Sequence, residues 1–299
     1  MALWLPDDFK LCREDALKAP DFEYEKPDTL AAVLALLASP GRDTQPLAGG
    51  QSLVPMMNFR LAQPEVLVDL NGIEELKGIR EGNDRIVIGA MTRYAELDRS
   101  PLIDKHAPLL KMALPHIAHA AIRNRGTIGG SVALADPAAE MPALLLALDA
   151  TMITASANGE RQTRADDFFL GLYETALDEG EIVKAVSISK AQAGSRFAFY
   201  ELARRHGDYA MAGVALAASD TAPCSGLRIA FFGVSDRALR ATDAEDALNG
   251  RSLGDVDAVA MALGALDRIE FHADLNASAV TKRHLAGVVL ERALAELGS

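Results

Sequence analysis

An α+β fold is what this sequence predicts, and three observations predict it. Helix-period and strand-period runs both recur along the 299 residues. The strand-like runs after Thr151 are gathered together instead of alternating one for one with helices, and the tail from about Ala241 keeps a helical period. A doubly wound parallel sheet would interleave the two element types throughout, so segregation favours α+β. At ~100–200 residues per domain the chain should hold two or three domains and bury a sizeable core.

The elements follow in order. Residues 1–20 carry little pattern and read as an appended arm, disordered alone or packed on a partner chain. From Phe22 the string FEYEKP alternates as a strand does, and Asp28 then caps the helical run TLAAVLALLA, which Ser39-Pro40-Gly41 stops. A short strand, TQPLA, runs straight into LAGGQS, and the next run, LVPMMNFRL, is apolar and compact. PEVLVDL and DRIVIGA read as strands separated by polar turns at Asn71-Gly72 and Gly82-Asn83-Asp84. Residues 108–119 have helical spacing that Pro115 must break or kink.

The segment RNRGTIGGSVALAD reads as a loop, after which Asp136-Pro137 opens the helix PAAEMPALLLALDA with Asp as N-cap and Pro at the first helical position. Then come the strands TMITA, EIVKAVSIS, RFAFYELA and GLRIAFFGV, and a last amphipathic run from Thr281 to Leu297.

Charge and cysteine content narrow the function. Lys plus Arg number 30 against 42 Asp plus Glu, a net charge of -12, with no basic stripe to displace counterions from a phosphate backbone, so nucleic acid is disfavoured as a partner. Cys12 and Cys224 are far apart and alone, which rules out a disulfide framework, a Cys-rich zinc site and a cysteine-ligated iron–sulfur cluster within this chain. Both read as inert small side chains. No apolar run approaches the ~20 residues of a membrane span, and MALWLPDDFK is too acidic for a signal peptide, so a soluble cytoplasmic protein is expected.

Two glycine pairs stand out, Gly49-Gly50 in LAGGQS and Gly129-Gly130 in TIGGS, each with a hydroxyl residue at its edge. A glycine pair lets consecutive backbone N–H groups face one large anion, because no Cβ blocks its approach. In the first, the amides of Ala48 to Ser52 and the Ser52 hydroxyl are the donors; in the second, Thr127 and Ser131 add hydroxyls. Neither matches GxGxxG or the P-loop, and each alone fits an ordinary turn equally well.

Taken together, PLAGGQSLVPMMNFRLAQPEVLVDLNGI and IRNRGTIGGSVALADPAAEMPALLLALDA resemble the FAD-binding (medium) subunit of the molybdenum hydroxylases, the xanthine dehydrogenase and carbon monoxide dehydrogenase family. DFFLGLYETALDEGEIVKAV and FYELARRHGDYAMAGVALA extend the resemblance from about Phe22 to the C-terminus. It implies the PCMH-type fold shared with vanillyl-alcohol oxidase: an FAD-binding domain at 21–190, with subdomains of about 21–75 and 76–190, then a C-terminal domain at 191–299 of small antiparallel sheet and helices. It also implies a heterotrimer with a small subunit bearing two [2Fe–2S] clusters and a large subunit bearing molybdopterin. The clusters' place on another polypeptide agrees with the scarcity of cysteine.

The resemblance carries site residues with it. Ala48, Gly49, Gly50, Gln51 and Ser52, followed by Leu53, would wrap the FAD diphosphate, and Thr127, Gly129, Gly130 and Ser131 would approach it from the other side. Glu140 matches an acidic position that bonds a sugar or ribityl hydroxyl. With Asp136 as N-cap it lies one residue past the capping-box slot, and a solvated helix-face glutamate is the alternative. Leu177 matches a residue packed on the isoalloxazine. Asp208 and Tyr209 match a segment near the flavin, where Tyr209 either stacks on the ring or is core with a wet hydroxyl.

Arg123 and Arg125 steady the second glycine segment or neutralise phosphate charge, with solvated loop arginines as the alternative. The family often has Asn where Ser131 stands and commonly His near Leu134. Flavin would take single electrons from the clusters and pass pairs to an external acceptor, so the chain needs no catalytic residue or metal ligand of its own. Two other readings remain open. One is a self-contained flavin oxidase or reductase, with His116 or His119 as a covalent anchor instead of a helix-face histidine; the other is a scaffold subunit without ligand.

Overall fold

The computed structural model describes residues 18–221 and 223–298; Cys12 and most of the expected N-terminal arm lie outside them. Strand β1 (Glu23–Glu25) opens a small sheet. Helix α1 (Leu30–Leu37) starts one residue later than the Asp28 cap implies. Thr29, extended at φ −134°, is the cap, and its hydroxyl accepts from the Ala32 amide at 3.2 Å. Capping needs an extended residue directly before the first helical one, which Thr29 is and Asp28 is not. Strand β2 (Thr44–Leu47), helix α2 (Leu53–Asn58) and strand β3 (Val66–Asp69) complete the unit. The order is β1-β3-β2 with both pairs parallel. Central β3 is buried along its whole length, as a strand paired on both edges requires.

A second sheet is antiparallel. Strands β4 (Ile79–Glu81) and β5 (Arg85–Gly89) lead into the helices α3 (Tyr94–Asp98), α4 (Pro101–His106), α5 (Pro108–Ala113), α6 (Ala120–Arg123), α7 (Ile128–Leu134) and α8 (Glu140–Ala147). After them come β6 (Thr151–Ser156), β7 (Gly159–Arg164), the short helix α9 (Ala165–Phe168), the hairpin β8 (Phe169–Gly171) and β9 (Glu174–Thr175), and β10 (Ile182–Ser189). The strand order is β4-β5-β10-β6-β7. Helix α5 ends at Ala113, two residues before the break expected at Pro115.

Two expectations change here. The second glycine pair is not in a loop; it forms the first turn of α7. Thr127 (φ −119°, ψ 151°) is its N-cap, and Ile128 and Val132, one turn apart, are buried. Glycine lowers helix propensity by about 1 kcal/mol per residue, but tertiary packing overrides that preference. Helix α8 begins at Glu140 and not after Asp136. Asp136 instead closes a turn, its Oδ1 accepting from the Ala138 amide at 2.9 Å and its carbonyl from the Ala139 amide at 3.0 Å. Ala135, at φ +50°, ends α7 and re-aims the chain between the two helices. Every residue of α8 is buried, as expected for a helix apolar on all sides.

The C-terminal half holds β11 (Arg196–Ala203), β12 (Ala210–Ala218), the two-residue strands β13 (Asp220–Thr221) and β14 (Cys224–Ser225), β15 (Arg228–Phe232), β16 (Leu239–Arg240), and helices α10 (Thr242–Leu248), α11 (Val256–Ala265) and α12 (Ala279–Leu297). Its sheet runs β11-β12-β15-β16, antiparallel. Side chains alternate across a strand. One face, with Ala198, Val214 and Leu216, therefore buries against α12 residues such as Leu290 and Leu294, while the other, with Phe199 and Phe232, joins the core around α5 and α8. Cys224 is buried, and burial pushes its thiol up, consistent with an inert side chain.

Candidate functional site

The first glycine segment leaves β2 and enters α2 without a side-chain cap. Gly50 sits at φ +71°, a left-handed conformation that L side chains rarely adopt, and so turns the chain sharply. Two side chains fix the bend: Gln51 Nε2 donates to the Gly49 carbonyl and Asn71 Nδ2 to the Ala48 carbonyl, each at 3.0 Å. Among the described residues the amides of Gly49, Gly50, Gln51 and Ser52 have no acceptor, and the Ser52 hydroxyl does not cap α2. The result is a row of main-chain donors held rigid and left unmatched, which is suited to an anion.

The second segment is built differently. The Ile128 amide donates to the Thr92 carbonyl at 3.1 Å, Gly129 to Ala90 at 2.8 Å, and Gly130 to Thr127 Oγ1 at 3.2 Å. A Cβ on Gly129 would fall 2.4 Å from that of Ala90. Gly129 is thus required by close approach of α7 to the residue following β5. The amides of this segment are already bonded within the protein, so it does not present a second donor row of the kind expected from the sequence.

The two segments nevertheless face each other. A Cβ on Gly49 would meet the Arg125 carbonyl oxygen at 2.4 Å, and one on Gly130 would lie 3.5 Å from the Ala48 Cβ. Between them opens a cleft of about 560 Å³, within the usual size range of cofactor pockets. Of the residues named from sequence, Ala48, Gly49, Gly50, Gln51, Ser52, Leu53, Thr127, Gly129, Gly130, Ser131 and Leu177 line it. Glu140, Asp208 and Tyr209 stand outside that lining. Glu140 is buried at the start of α8, and Tyr209 is 63% exposed on the loop before β12.

Sequence reasoning missed Ala90 and Met91 after β5, Ile182 and Val183 on β10, and the turn at Leu61–Pro64, all of which line the cleft. In RIVIGAM nothing marks where the strand stops and a cleft wall begins. Leu134, at the end of α7, also lines it, giving an apolar wall where the family commonly has histidine. Glu181 forms part of the rim; burial works against its charge, yet Arg161 and Thr154 bond to it and hold the carboxyl below its ordinary range.

The flanking arginines and histidines also find their places. Arg123 Nη1 donates to the carbonyls of Ile117 and Ala118 at 2.9 and 2.8 Å, steadying the turn before α6, whereas Arg125 is exposed. His116 lies in the turn after α5 and His119 is the N-cap position of α6, so neither sits on a helix face and neither lines the cleft.

These residues fit FAD on their own terms. Unmatched amides at a glycine bend suit a diphosphate, and Leu53, Met91, Leu134, Leu177 and Ile182 offer the apolar wall an aromatic ring system needs.

Comparison with known proteins agrees. Residues 20–190 match the family model described as the FAD binding domain in molybdopterin dehydrogenase, and residues 197–297 match the CO dehydrogenase flavoprotein C-terminal domain. The chain is 40% identical over 276 residues to the carbon monoxide dehydrogenase medium chain of Hydrogenophaga pseudoflava, covering 92% of this chain and 96% of that one. It is 39% identical over 282 residues to the 6-hydroxypseudooxynicotine dehydrogenase complex subunit alpha of Paenarthrobacter nicotinovorans, covering 94% and 95%. The solved carbon monoxide dehydrogenase from Hydrogenophaga pseudoflava that lacks the Mo-pyranopterin moiety superposes with a TM-score of 0.90 at 42% identity, over 93% of this chain and 98% of that one. The architecture is accordingly the α+β, PCMH-type FAD-binding fold. With the paired glycine segments, the two matched models and the coverage end to end, this chain belongs to the FAD-binding medium subunits of the molybdenum hydroxylases, a family of oxidoreductase subunits.

Proposed function

We propose that this medium subunit carries FAD as the electron-transfer flavoprotein of a multi-subunit molybdenum hydroxylase, receiving electrons from [2Fe–2S] clusters on a small partner subunit and passing them to an external acceptor. A large partner subunit bears the molybdopterin at which substrate is oxidised. The observation that carries this reading is the row of unmatched amides from Gly49 to Ser52, in residues that line a cleft whose opposite wall is the second glycine segment. The medium-chain relatives from dehydrogenase complexes support the assembly.

When bound, FAD supplies the exchange of electrons singly and in pairs. The chain's own residues bind and orient it. The Gly49–Ser52 amides and the Ser52 hydroxyl take the diphosphate, with Ala48 and Leu53 completing the bend. Thr127, Gly129, Gly130 and Ser131 close the opposite wall; their role is shape and hydroxyl contact, because their amides are bonded elsewhere. Leu177 packs on the ring system and excludes water from it. Tyr209, exposed beside Asp208 just before β12, covers the ring from that side.

We assign the FAD-binding domain to 21–190, with subdomains of about 21–75 and 76–190, and the C-terminal domain to 191–299. The separation of the parallel sheet, the five-stranded sheet and the C-terminal sheet supports this division. A chain with two lone cysteines also suits the cytoplasm.

Titrating the purified full chain with FAD tests the reading: a saturable complex with oxidised-flavin absorption is expected at one FAD per chain. A chain that takes up no flavin overturns it. Co-purification from the native source should yield an iron–sulfur protein and a molybdopterin protein; their absence removes the partner assignment and leaves the flavin site standing.

A further inference from the structure

The bend that carries the unmatched amides starts where two parallel strands end. Leu47 closes β2 and Asp69 closes β3, and the two are paired in register. Ligands of parallel sheets gather beyond the carboxyl ends of the strands, and the bend leaves from that edge. Asp69 is a carboxylate only 6% exposed, on a strand otherwise made of Val66, Leu67 and Val68. A charge so buried is costly unless it is hydrogen-bonded, and both Asp69 oxygens are. Oδ1 accepts from the Asn71 main-chain amide at 2.9 Å and from Asn71 Nδ2 at 2.6 Å, capping the 3₁₀ turn Leu70–Gly72. Oδ2 accepts from the Tyr24 hydroxyl at 2.5 Å. Burial works against the charge, yet these bonds and the nearby Lys26 hold the carboxyl below its ordinary range, so it stays ionised at neutral pH.

Tyr24 comes from β1, where it is paired with Leu67. Leu67 and Asp69 are two apart on β3 and share a face, which sets Tyr24 diagonally beside Asp69. Tyr24 is 52% exposed, so this chain of bonds begins at the surface. At its other end Asn71 Nδ2 spends its second hydrogen on the Ala48 carbonyl at 3.0 Å. None of Tyr24, Asp69 and Asn71 lines the cleft, whereas Ala48 does. Their influence on the cleft passes through the Ala48 carbonyl.

That carbonyl and the Gly49 N–H belong to one planar peptide unit and point in opposite directions. Gripping the oxygen therefore fixes the line along which the Gly49 N–H projects. The next peptide is held in the same manner, because Gln51 Nε2 grips the Gly49 carbonyl and so fixes the Gly50 N–H. Glycine has no side chain to restrict the rotation of these peptides, so grips from outside the bend are what set them. A loose peptide would be ordered only when the anion arrived, at a cost in affinity that a preset one avoids.

We propose that Tyr24, Asp69 and Asn71 act as one brace that presets the Gly49 amide for the FAD diphosphate, making all three positioning residues for the cofactor. The inference rests on the FAD reading for the identity of the anion.

The test titrates the full chain with FAD, followed by flavin fluorescence. Affinity should fall at least tenfold in Asn71→Ala and about threefold in Tyr24→Phe. Tyr24 is half-exposed on an edge strand, so its variant keeps the fold, and that arm stands by itself if Asn71→Ala does not fold. The double variant is decisive: because Tyr24 acts through Asn71, Tyr24→Phe should change nothing further once Asn71 is alanine. A tyrosine with a merely structural role would weaken binding by the same factor in both backgrounds. Without FAD, in a chain carrying isotope-labelled glycine, the Gly49 amide resonance should shift in Tyr24→Phe. Wild-type FAD affinity in both single variants, equal effects of Tyr24→Phe in the two backgrounds, or an unmoved Gly49 resonance overturns the brace. If the wild-type chain takes up no FAD, the functional reading falls, and the Gly49 resonance alone then decides whether the brace exists.

Discussion

Gly49-Gly50 and Gly129-Gly130 look alike as letters, yet the structure uses them for different purposes. The first pair is a bend between a strand and a helix, with Gly50 at φ +71° and its amides unmatched. The second is the opening turn of α7, with ordinary helical backbone and its amides bonded to Ala90 and Thr127. The first pair leaves a row of donors suited to an anion, and the second lets a helix pass close to a neighbouring strand end. What they share is contact with each other, since Gly49 lies against the Arg125–Gly126 backbone and Gly130 faces Ala48. Paired glycines in a sequence therefore mark two backbones meeting as readily as they mark a ligand.

The largest expected effect separates these roles at the second pair. In Gly129→Ala the new Cβ meets Ala90 at Cβ, Cα and O, all within 2.8 Å, in a fully buried place where no side chain can swing aside. We expect a loss of about 3 kcal/mol of stability, the upper end of overpacking penalties, read as a lowered midpoint in urea unfolding without change in slope. Gly49→Ala clashes equally with the Arg125 carbonyl at 2.4 Å, but it stands in a connection between elements, which yields more easily. About 2 kcal/mol is expected there, together with FAD affinity reduced at least tenfold, because the amide row moves with the bend. Equal losses of stability with FAD affinity unchanged in Gly49→Ala would erase the distinction between the pairs.

A smaller effect sets both glycine pairs beside a buried carboxyl, Glu201 on β11, whose Oε1 lies 3.2 Å from His116 Nδ1. Glu201 is held protonated up to about pH 7 in the folded chain, against an ordinary carboxyl near 4.5. The folded state then binds more protons than the unfolded one between those values. Stability is fully present below about 4.5 and declines as pH rises through 7. Glu201→Gln removes its share of that dependence and leaves that of Glu140, which burial also pushes up to about 7, so it should make the pH profile of the unfolding midpoint shallower and exceed wild-type stability at pH 8 by on the order of 1–2 kcal/mol. A variant whose midpoint keeps the wild-type slope between pH 4.5 and 7 would place the titrating group elsewhere.

Much of the fold was legible because strand alternation is a local signal. TQPLA, PEVLVDL, DRIVIGA, TMITA and EIVKAVSIS all became strands. Helix starts were less so. Asp28 and Asp136 both carry the chemistry of a cap, but Thr29 and a turn at Asp136 won, because which capping residue is used depends on where the following apolar face can dock. The first glycine segment was legible from its residues, and the floor supplied by Ala90 and Met91 was not, since only the folded contact between α7 and the end of β5 makes those two a wall. The pairing of His116 with Glu201 was invisible for the same reason: 85 residues separate them, and only the packing of β11 against the turn after α5 brings them together.

The smallest effect on stability is the sharpest discriminator, and it lies at Gly130. Alanine there gains about 1 kcal/mol of helix propensity in the first turn of α7. Against that, its Cβ stands 3.0 Å from Thr127 Oγ1, tight enough to loosen the cap, which is itself worth about 1 kcal/mol. The two terms offset, so Gly130→Ala should unfold within about 0.5 kcal/mol of wild type. The same Cβ nevertheless projects toward Ala48 across the cleft at 3.5 Å, narrowing the passage opposite the amide row. FAD affinity, measured by fluorescence titration, should then fall several-fold while the unfolding midpoint stays in place. Affinity and stability moving together would mean that Gly130, like Gly129, is needed only for packing, and the cleft would then owe its shape to the first pair alone.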